Sequence, residues 1–409
     1  VGSSSCLPRV LIGSMTKERF CCESSIRRRI PDRITDRRKR LPAALLTRPA
    51  VMAPVLALPA SRSPRKRNTD MKWLQTLAFT ATAIALVAST PTWGQETVTV
   101  DNFVRAETDM TLKRYVDQGA FGKLLHLRQP TPIDKQDVIR MNRDTLYSFG
   151  VFDLDAAPVT ILKPESKGRF QSMLIVNQDH SMQPVEHGNG SFTLTKEKIG
   201  TRYVIVGFRT FMNANDPNDI KAANALQDKI EIEQAKVGSF EIPDWDEGSL
   251  TKVRDAINVL ASTKNDASGM FGDKSKLNPI NHLLGTAYGW GGNPEEAAIY
   301  VNVVPEKNDG TTPYTLTITE KVPVDGFVSV TVYNSKGFLE KNPLDAYSIN
   351  NVTAESNQDG SVTIHFGGDT AKPNYLPITP GWNYIVRMYQ PKAELLDGSW
   401  KFPDCKAAE

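Results

Sequence analysis

Seven consecutive residues, Asn142-Arg143-Asp144-Thr145-Leu146-Tyr147-Ser148, concentrate hydrogen-bonding side chains of several kinds. In an extended segment Arg143, Thr145 and Tyr147 share one face, and Asn142, Asp144, Leu146 and Ser148 the other. One reading makes Arg143 an anion clamp and Asp144 or Tyr147 an acid–base group. The other makes Arg143 and Asp144 a buried pair that braces neighbouring strands. A second group is Asp179-His180 and Glu186-His187. If that loop folds on itself, His180, Glu186 and His187 can hold a divalent metal, or His180 or His187 can act as a general base. The spacing matches no specific metal motif, and a polar surface loop has the same composition. A third group, Trp290, Trp382, Tyr384 and Tyr389, would form an aromatic platform, with Arg387 supplying charge and Asn142 a further contact; ordinary core and rim packing is its alternative. His282 and His365 read as structural histidines.

The sequence contains no G-x-S-x-G nucleophile elbow, H-E-x-x-H helix, P-loop or paired C-x-x-C. Gly289-Trp290-Gly291-Gly292 lacks dinucleotide-binding spacing and reads as a turn.

The elements that must position these residues are mostly strands. Apolar spacing predicts a helix over 101–127, weakened in its second half by Gly119 and Gly122. Short runs bounded by Pro, Gly or Asn predict strands at 158–162, 170–176 and 203–208. Helices are expected over 219–234 and after a Ser249 cap. Strands return at 298–304, 314–319, 327–333, 361–366 and 384–389. Alternation places Val328, Val330 and Val332 on one face, and Ile385, Arg387 and Tyr389 on one face of the last strand. Arg387 is expected to pair with a buried carboxylate there.

Residues 1–94 contain 17 Lys and Arg against five acidic residues, whereas 95–409 contain 32 basic and 41 acidic. The acidic remainder argues against a nucleic-acid partner. Met71-Lys72-Trp73, a charge-free apolar run from Leu74 to Ser89, and small residues at Thr92 and Gly94 have the layout of a secretory signal peptide cleaved before Gln95. The run is short for a membrane anchor, so none is expected to remain after cleavage. Residues 1–70 are then an extension upstream of the true start, Met71. Cys405 is the sole cysteine after position 94, so no internal disulfide can staple that part.

Asn142 to Ser148, followed by Phe152-Asp153-Leu154-Asp155 and Pro158-Val159, resembles the N-terminal signature of the family called domain of unknown function 1254. Pro323-Val324-Asp325-Gly326-Phe327, Tyr333-Asn334, Asn342-Pro343, Tyr347-Ser348-Ile349, Asp359-Gly360-Ser361, Tyr375-Leu376-Pro377, Arg387-Met388-Tyr389-Gln390-Pro391 and Leu396-Asp397-Gly398-Ser399-Trp400 resemble its usual partner, domain of unknown function 1214. The resemblance covers nearly all of 100–403. Val328 and Tyr375 stand where that pattern has Trp, which would reshape a ligand site lined by those aromatics. The resemblance implies two β-rich domains and frequent export, and supplies no agreed catalytic residues. Hydrolase or esterase labels within the family find no nucleophile elbow here.

The expected architecture is mainly β with helical insertions (α+β), as two β-sandwich or jelly-roll-like domains. A β-rich domain over 95–215 is followed by a helical bridge over 216–295 and a β-sandwich over 296–403. The expected function is binding of a small polar or anionic molecule by an exported, periplasmic protein. A hydrolase-like or metal-assisted enzyme using 142–148 and the His180/His187 loop is one alternative, and an envelope structural protein another. No motif names a cofactor.

Overall fold

The structure, a computed structural model, describes residues 94–136, 139–264 and 266–408. The extension expected over 1–70 and the leader over 71–94 lie outside these, apart from Gly94. Helix α1 (Phe103–Asp117) leads into β1 (Leu125–His126), β2 (Thr145–Asp153), β3 (Val159–Lys163), β4 (Gln171–Asn177) and β5 (Gly190–Leu194). Helix α2 (Lys196–Ile199) precedes β6 (Tyr203–Phe211), and α3 (Pro217–Gln227) precedes β7 (Glu231–Gln234). Two longer helices follow, α4 (Glu247–Ala261) and α5 (Pro279–Gly289). The last part holds β8 (Ala298–Val303), β9 (Tyr314–Ile318), β10 (Val328–Tyr333), β11 (Ser348–Asn350), β12 (Val362–Phe366), β13 (Tyr375–Leu376), β14 (Asn383–Tyr389), α6 (Ala393–Leu396) and β15 (Lys406–Ala407). The fold is mainly β.

Two pairs of sheets result. The first pair is β1-β2-β6-β4 over β5-β3-β7, and the second is β11-β10-β14-β8 over β13-β12-β9-β15. Pairing is antiparallel except between β12 and β13. Strand alternation explains why each pair closes on itself. In the first, Phe152, Met173, Ile175, Val204, Val206 and Phe208 pack against Val159, Ile161 and Leu194. In the second, Val328, Val330, Val332, Tyr384, Val386 and Met388 pack against Leu316, Ile364, Phe366 and Trp382. Each such fully buried aliphatic side chain contributes about 1.5–3 kcal/mol.

The opposite faces of β6 and β14 are also covered, and this creates the site. Leu174, Val176 and Ile205 turn away from the first sandwich core toward Leu112 and Tyr115 of α1. Helices α1, α4 and α5 share a further core around Phe103, Trp245, Ile257 and Leu284. Pro279 at the first turn of α5, with Asn278 capping Ile280 and Asn281, is a sequence-readable start signal that 279–289 carries and the strand-centred reading passed over.

Two expected helices end early. Gly119, at φ +94°, lies just beyond the end of α1 and turns the chain into β1. The helix expected to Gln234 ends at Gln227, and Glu231 to Gln234 adds to β3 with Ile232 opposite Ile161. The alternation Glu-Ile-Glu-Gln suits an edge strand, and packing of Ile232 on the sandwich core decides against continued helix. Ser249 lies within α4, whose cap is Asp246 accepting from the Ser249 amide.

Candidate functional site

A cavity of about 460 Å³ lies where the outward faces of the two sandwiches meet beneath α4 and α5. Its floor is read directly from strand register. Arg209 sits between Tyr147 and Ser172, Gly207 between Phe149 and Leu174, and Ile205 opposite Val176. The second sandwich supplies Arg387 opposite Tyr300, and Ile385 opposite Asn302, with Tyr389 next along β14. A loop adds Arg140 and Asn142, and the 289–292 turn adds Trp290.

None of the ion pairs among the described residues involves Arg140, Arg209 or Arg387. They are held by neutral acceptors instead. Arg209 donates to Asn293 Oδ1 at 3.0 Å and to the Gly291 carbonyl at 2.9 Å. Asn293 in turn donates to the Tyr300 hydroxyl. Arg387 donates to Thr331 Oγ1, the Tyr333 hydroxyl and the Arg140 carbonyl. Arg140 donates from Nη1 to Asn383, and its Nε is buried without a partner among the described residues. Guanidinium stays charged at any working pH. The cavity therefore gathers one buried and two half-buried guanidinium groups without a paired carboxylate, its one lining carboxylate, Asp266, lying 4.0 Å from Lys264, an arrangement that favours an incoming anion. Asp144 favours the charge on Arg387 from a short way off. Burial holds the Tyr389 phenol neutral, raising its pKa well above the ordinary value.

The seven-residue segment 142–148 divides between cavity and brace. Asn142 donates to the Tyr389 hydroxyl at 2.9 Å, and Tyr147 lines the cavity under Arg209, 5.8 Å from its guanidinium carbon. Arg143 instead lies over the Tyr347 ring and donates to the Thr131 carbonyl. Asp144 accepts from Ser348 and Asn350 of the second sandwich. Arg143 and Asp144 thus tie the sandwiches together, and the clamp expected of Arg143 is made by Arg209, Arg387 and Arg140. Arg387 lies on the expected face with Ile385 and Tyr389, but hydroxyl and carbonyl oxygens take the place of its expected carboxylate. Trp382 and Tyr384 fall on the other face, both 0% exposed in the second sandwich core, so the platform is reduced to Trp290, Arg387 and Tyr389. Val328 is buried in that same core and lies outside the cavity lining, as does Tyr375.

His180 and His187 do not converge. After β4 the chain turns at His180, whose φ is +56°, and runs back antiparallel along β4, pairing Met182 with Val176 and Glu186 with Met173. His180 ends buried against Trp290, with ring centroids 5.2 Å apart. The Gly291 amide donates to its Nε2, so the proton sits on Nδ1 and is given to Thr286 Oγ1, whose own proton goes to the His282 carbonyl. Both nitrogens are occupied, which removes His180 from any metal set with Glu186 and His187. No cluster of three His, Cys, Asp or Glu side chains suited to a metal occurs among the described residues. His180 acts on the site indirectly, by fixing the turn whose Gly291 carbonyl orients Arg209. Gly291 needs its left-handed φ of +73° there, and a Cβ on Gly292 would meet the Phe271 ring at 2.6 Å.

His187 packs on Phe170 in a second depression of about 860 Å³. Its one arginine, Arg169, is already paired through both terminal nitrogens with Asp219. Beside it Lys163, 3% exposed, donates to the His187 carbonyl at 2.8 Å. Burial brings the Lys163 pKa down to about 8, with Glu186 opposing. The unfolded chain keeps that proton to about pH 10.5, so the penalty of burying the charge is full below pH 8 and fades between 8 and 10.5. Lys163→Met is expected to stabilise the protein by about 2 kcal/mol at pH 7. Urea unfolding at pH 7 and pH 10 checks this, and an equal gain at both would show that the buried charge is not the cause.

Residues 121–198 match the family described as protein of unknown function DUF1254, and residues 299–393 that described as protein of unknown function DUF1214. The two matches stand in that order along the chain. The DUF1254 match contributes Asn142, Tyr147 and Phe149 to the cavity, and the DUF1214 match contributes Tyr300, Arg387 and Tyr389. Arg209 and Trp290 lie between the two matched segments. The crystal structure of the VPA0106 protein from Vibrio parahaemolyticus is similar in fold, with a TM-score of 0.57, 18% identity, and coverage of 76% of this chain and 98% of that one. A putative uncharacterised protein from Burkholderia cenocepacia aligns at a TM-score of 0.42 and 11% identity, over 76% of this chain and 87% of that one. No curated protein sequence matches this chain.

Arg209 and Arg140 are the site arginines that the sequence reading passed over. Arg209 did carry a signal: it follows Ile205 and Gly207 at two-residue steps within a β-branched and aromatic strand, where a charge needs a reason. Arg140 lies in a loop and has no such pattern.

Proposed function

We propose that this protein binds a small anionic molecule in the cavity between its two sandwiches. The observation that carries the reading is the convergence of Arg140, Arg209 and Arg387 on one cavity with neutral hydrogen-bond acceptors and no carboxylate paired to them among the described residues. A volume of about 460 Å³ falls in the range of small-molecule sites. The hydrolytic and metal-assisted alternatives draw less support, because Asp144, His180 and His187 lie outside the lining and Asp144 and His180 are committed to structural bonds. We also read the protein as exported. The basic start, apolar run and small residues between Met71 and Gly94 support that reading. Among the described residues no helix is long and apolar enough to cross a membrane.

Thermal melts at fixed ionic strength, with chloride replaced stepwise by phosphate, citrate or benzoate, test the binding claim. A ligand at 100 times its Kd adds about 2.7 kcal/mol of stability, so at least one anion should raise Tm by several degrees in a saturable way. A melting temperature that follows ionic strength alone, whatever the anion, would remove the proposal's support.

A further inference from the structure

The cavity is graded in polarity from one end to the other, and this grading narrows the ligand class beyond a bare anion. At one end Arg209 and Tyr147 lie side by side in register on adjacent strands, facing Arg387 and Tyr300 of the second sandwich. Two residues along each strand the floor becomes Leu174, Gly207 and Phe149. Two residues further it is Val176 and Ile205. At the strand rise of about 3.3 Å per residue, the step from Arg209 to Ile205 spans about 13 Å. Gly207 leaves the middle of this floor without a side chain, and a Cβ there would meet Phe149 at 3.2 Å. Over the cavity lie Met270 and Phe271, also apolar, and the charged pair Lys264 and Asp266, 4.0 Å apart.

A compact polyanion such as phosphate or citrate would use the arginines and leave the half-buried rings of Phe149, Phe271 and Trp290 uncovered. An uncharged hydrophobe would cover those rings and leave the guanidinium groups without an anionic partner. We infer that the ligand is an amphipathic anion, with an acidic headgroup between Arg209 and Arg387 and an unbranched or aryl apolar body against Phe149, Phe271 and Trp290. The inference rests on the anion-binding reading above and adds to it the apolar part.

The test is isothermal titration calorimetry of the full chain with hexanoate, octanoate and decanoate below their micelle concentrations, alongside 1-octanol and citrate. Each methylene laid on the floor is expected to tighten binding about fourfold until the floor is covered. Octanoate is expected to bind, and 1-octanol and the octanoate complex of Arg209→Met to be weaker by at least tenfold. Citrate binding with no dependence of carboxylate affinity on chain length would overturn the amphipathic assignment while leaving the anion reading in place. Octanol binding as tightly as octanoate would overturn the headgroup assignment. Saturable binding by none of these acids, citrate included, would overturn this inference and the anion reading together.

Discussion

Arg209→Met is expected to weaken binding of an anionic ligand by about 30- to 1,000-fold, corresponding to the roughly 2–4 kcal/mol lost when one partner of a buried charge-assisted contact is removed. The same substitution should leave the melting temperature unchanged or raise it. Methionine keeps the apolar stem of the side chain but ends where the guanidinium begins, and it removes a charge that no described carboxylate neutralises. Gly291, whose oxygen is released by the change, borders the cavity, where solvent can satisfy it, whereas Asn293 is buried outside the lining, and the cost of its unpaired Oδ1 offsets part of the relief from removing the charge. Calorimetry with the best anion from the melting series measures the first effect, and a melt without ligand measures the second. Affinity within twofold of the parent protein would show that the anion binds elsewhere. A loss of several degrees in Tm, with affinity per folded molecule retained, would make Arg209 a brace.

His180→Ala carries the largest expected effect on stability, a loss of about 3 kcal/mol. The ring is 0% exposed and sits 5.2 to 6.0 Å, centroid to centroid, from Trp290, His282 and Phe271, so its removal leaves a void that close-packed neighbours cannot fill. The Gly291 amide and Thr286 hydroxyl lose their partner as well. A pH signature separates this role from packing alone. Burial holds the His180 pKa well below 6.5, with His282 adding to the effect. The unfolded chain takes up a proton below pH 6.5 that the folded ring refuses, so stability present at neutral pH falls by up to about 1.4 kcal/mol per pH unit as the medium is acidified. Burial brings His187 to about 4, and it adds a second such slope between 6.5 and 4. Urea unfolding from pH 7 to pH 5 should therefore be steeper for the parent protein than for His180→Ala, by about one proton. Parallel curves would show that His180 titrates freely in the folded state.

The two substitutions act on one chain of contacts. His180 fixes Gly291, Gly291 orients Arg209, and Arg209 faces the ligand space. His180→Ala should accordingly weaken anion binding even in the folded fraction, by less than Arg209→Met, because a mobile carbonyl loosens the guanidinium without removing its charge.

Strand alternation is what the sequence by itself determined best. Ile385, Arg387 and Tyr389 lie on one face because extended residues two apart must, whatever surrounds them. The same rule assigns Tyr384 to the opposite face, and grouping Tyr384 with Arg387 as a binding platform ran against it. Most strands of both sandwiches were legible for a related reason: β-branched and aromatic runs between Gly, Pro and Asn have few other ways to bury themselves. The 289–292 segment was legible as a turn, but not as the element that aims an arginine. Polar residue types in a short stretch do not say which of them face a cavity. Asn142 and Tyr147 do so, whereas Arg143 and Asp144, one and two positions from Asn142, bond to Thr131, Tyr347, Ser348 and Asn350.

Only the tertiary structure decided the site. Arg140, Arg209 and Arg387 come from a loop and two strands in different sheets, and no local pattern encodes their meeting. It follows from the way two sandwiches lean together through Asn142, Asp144 and the aromatic junction of Phe170, Phe211, Phe327 and Tyr389. The histidines show the converse. His180 and His187 are seven residues apart, close enough in sequence to suggest one cluster. An extended chain rises about 3.3 Å per residue, so seven residues can separate groups by about 20 Å. The return of 182–186 along β4 uses that reach, leaving His180 in the helical core and His187 beside Phe170. Sequence proximity bounds how far apart two side chains can be. Which groups meet is settled by the packing of faces that are distant in the chain.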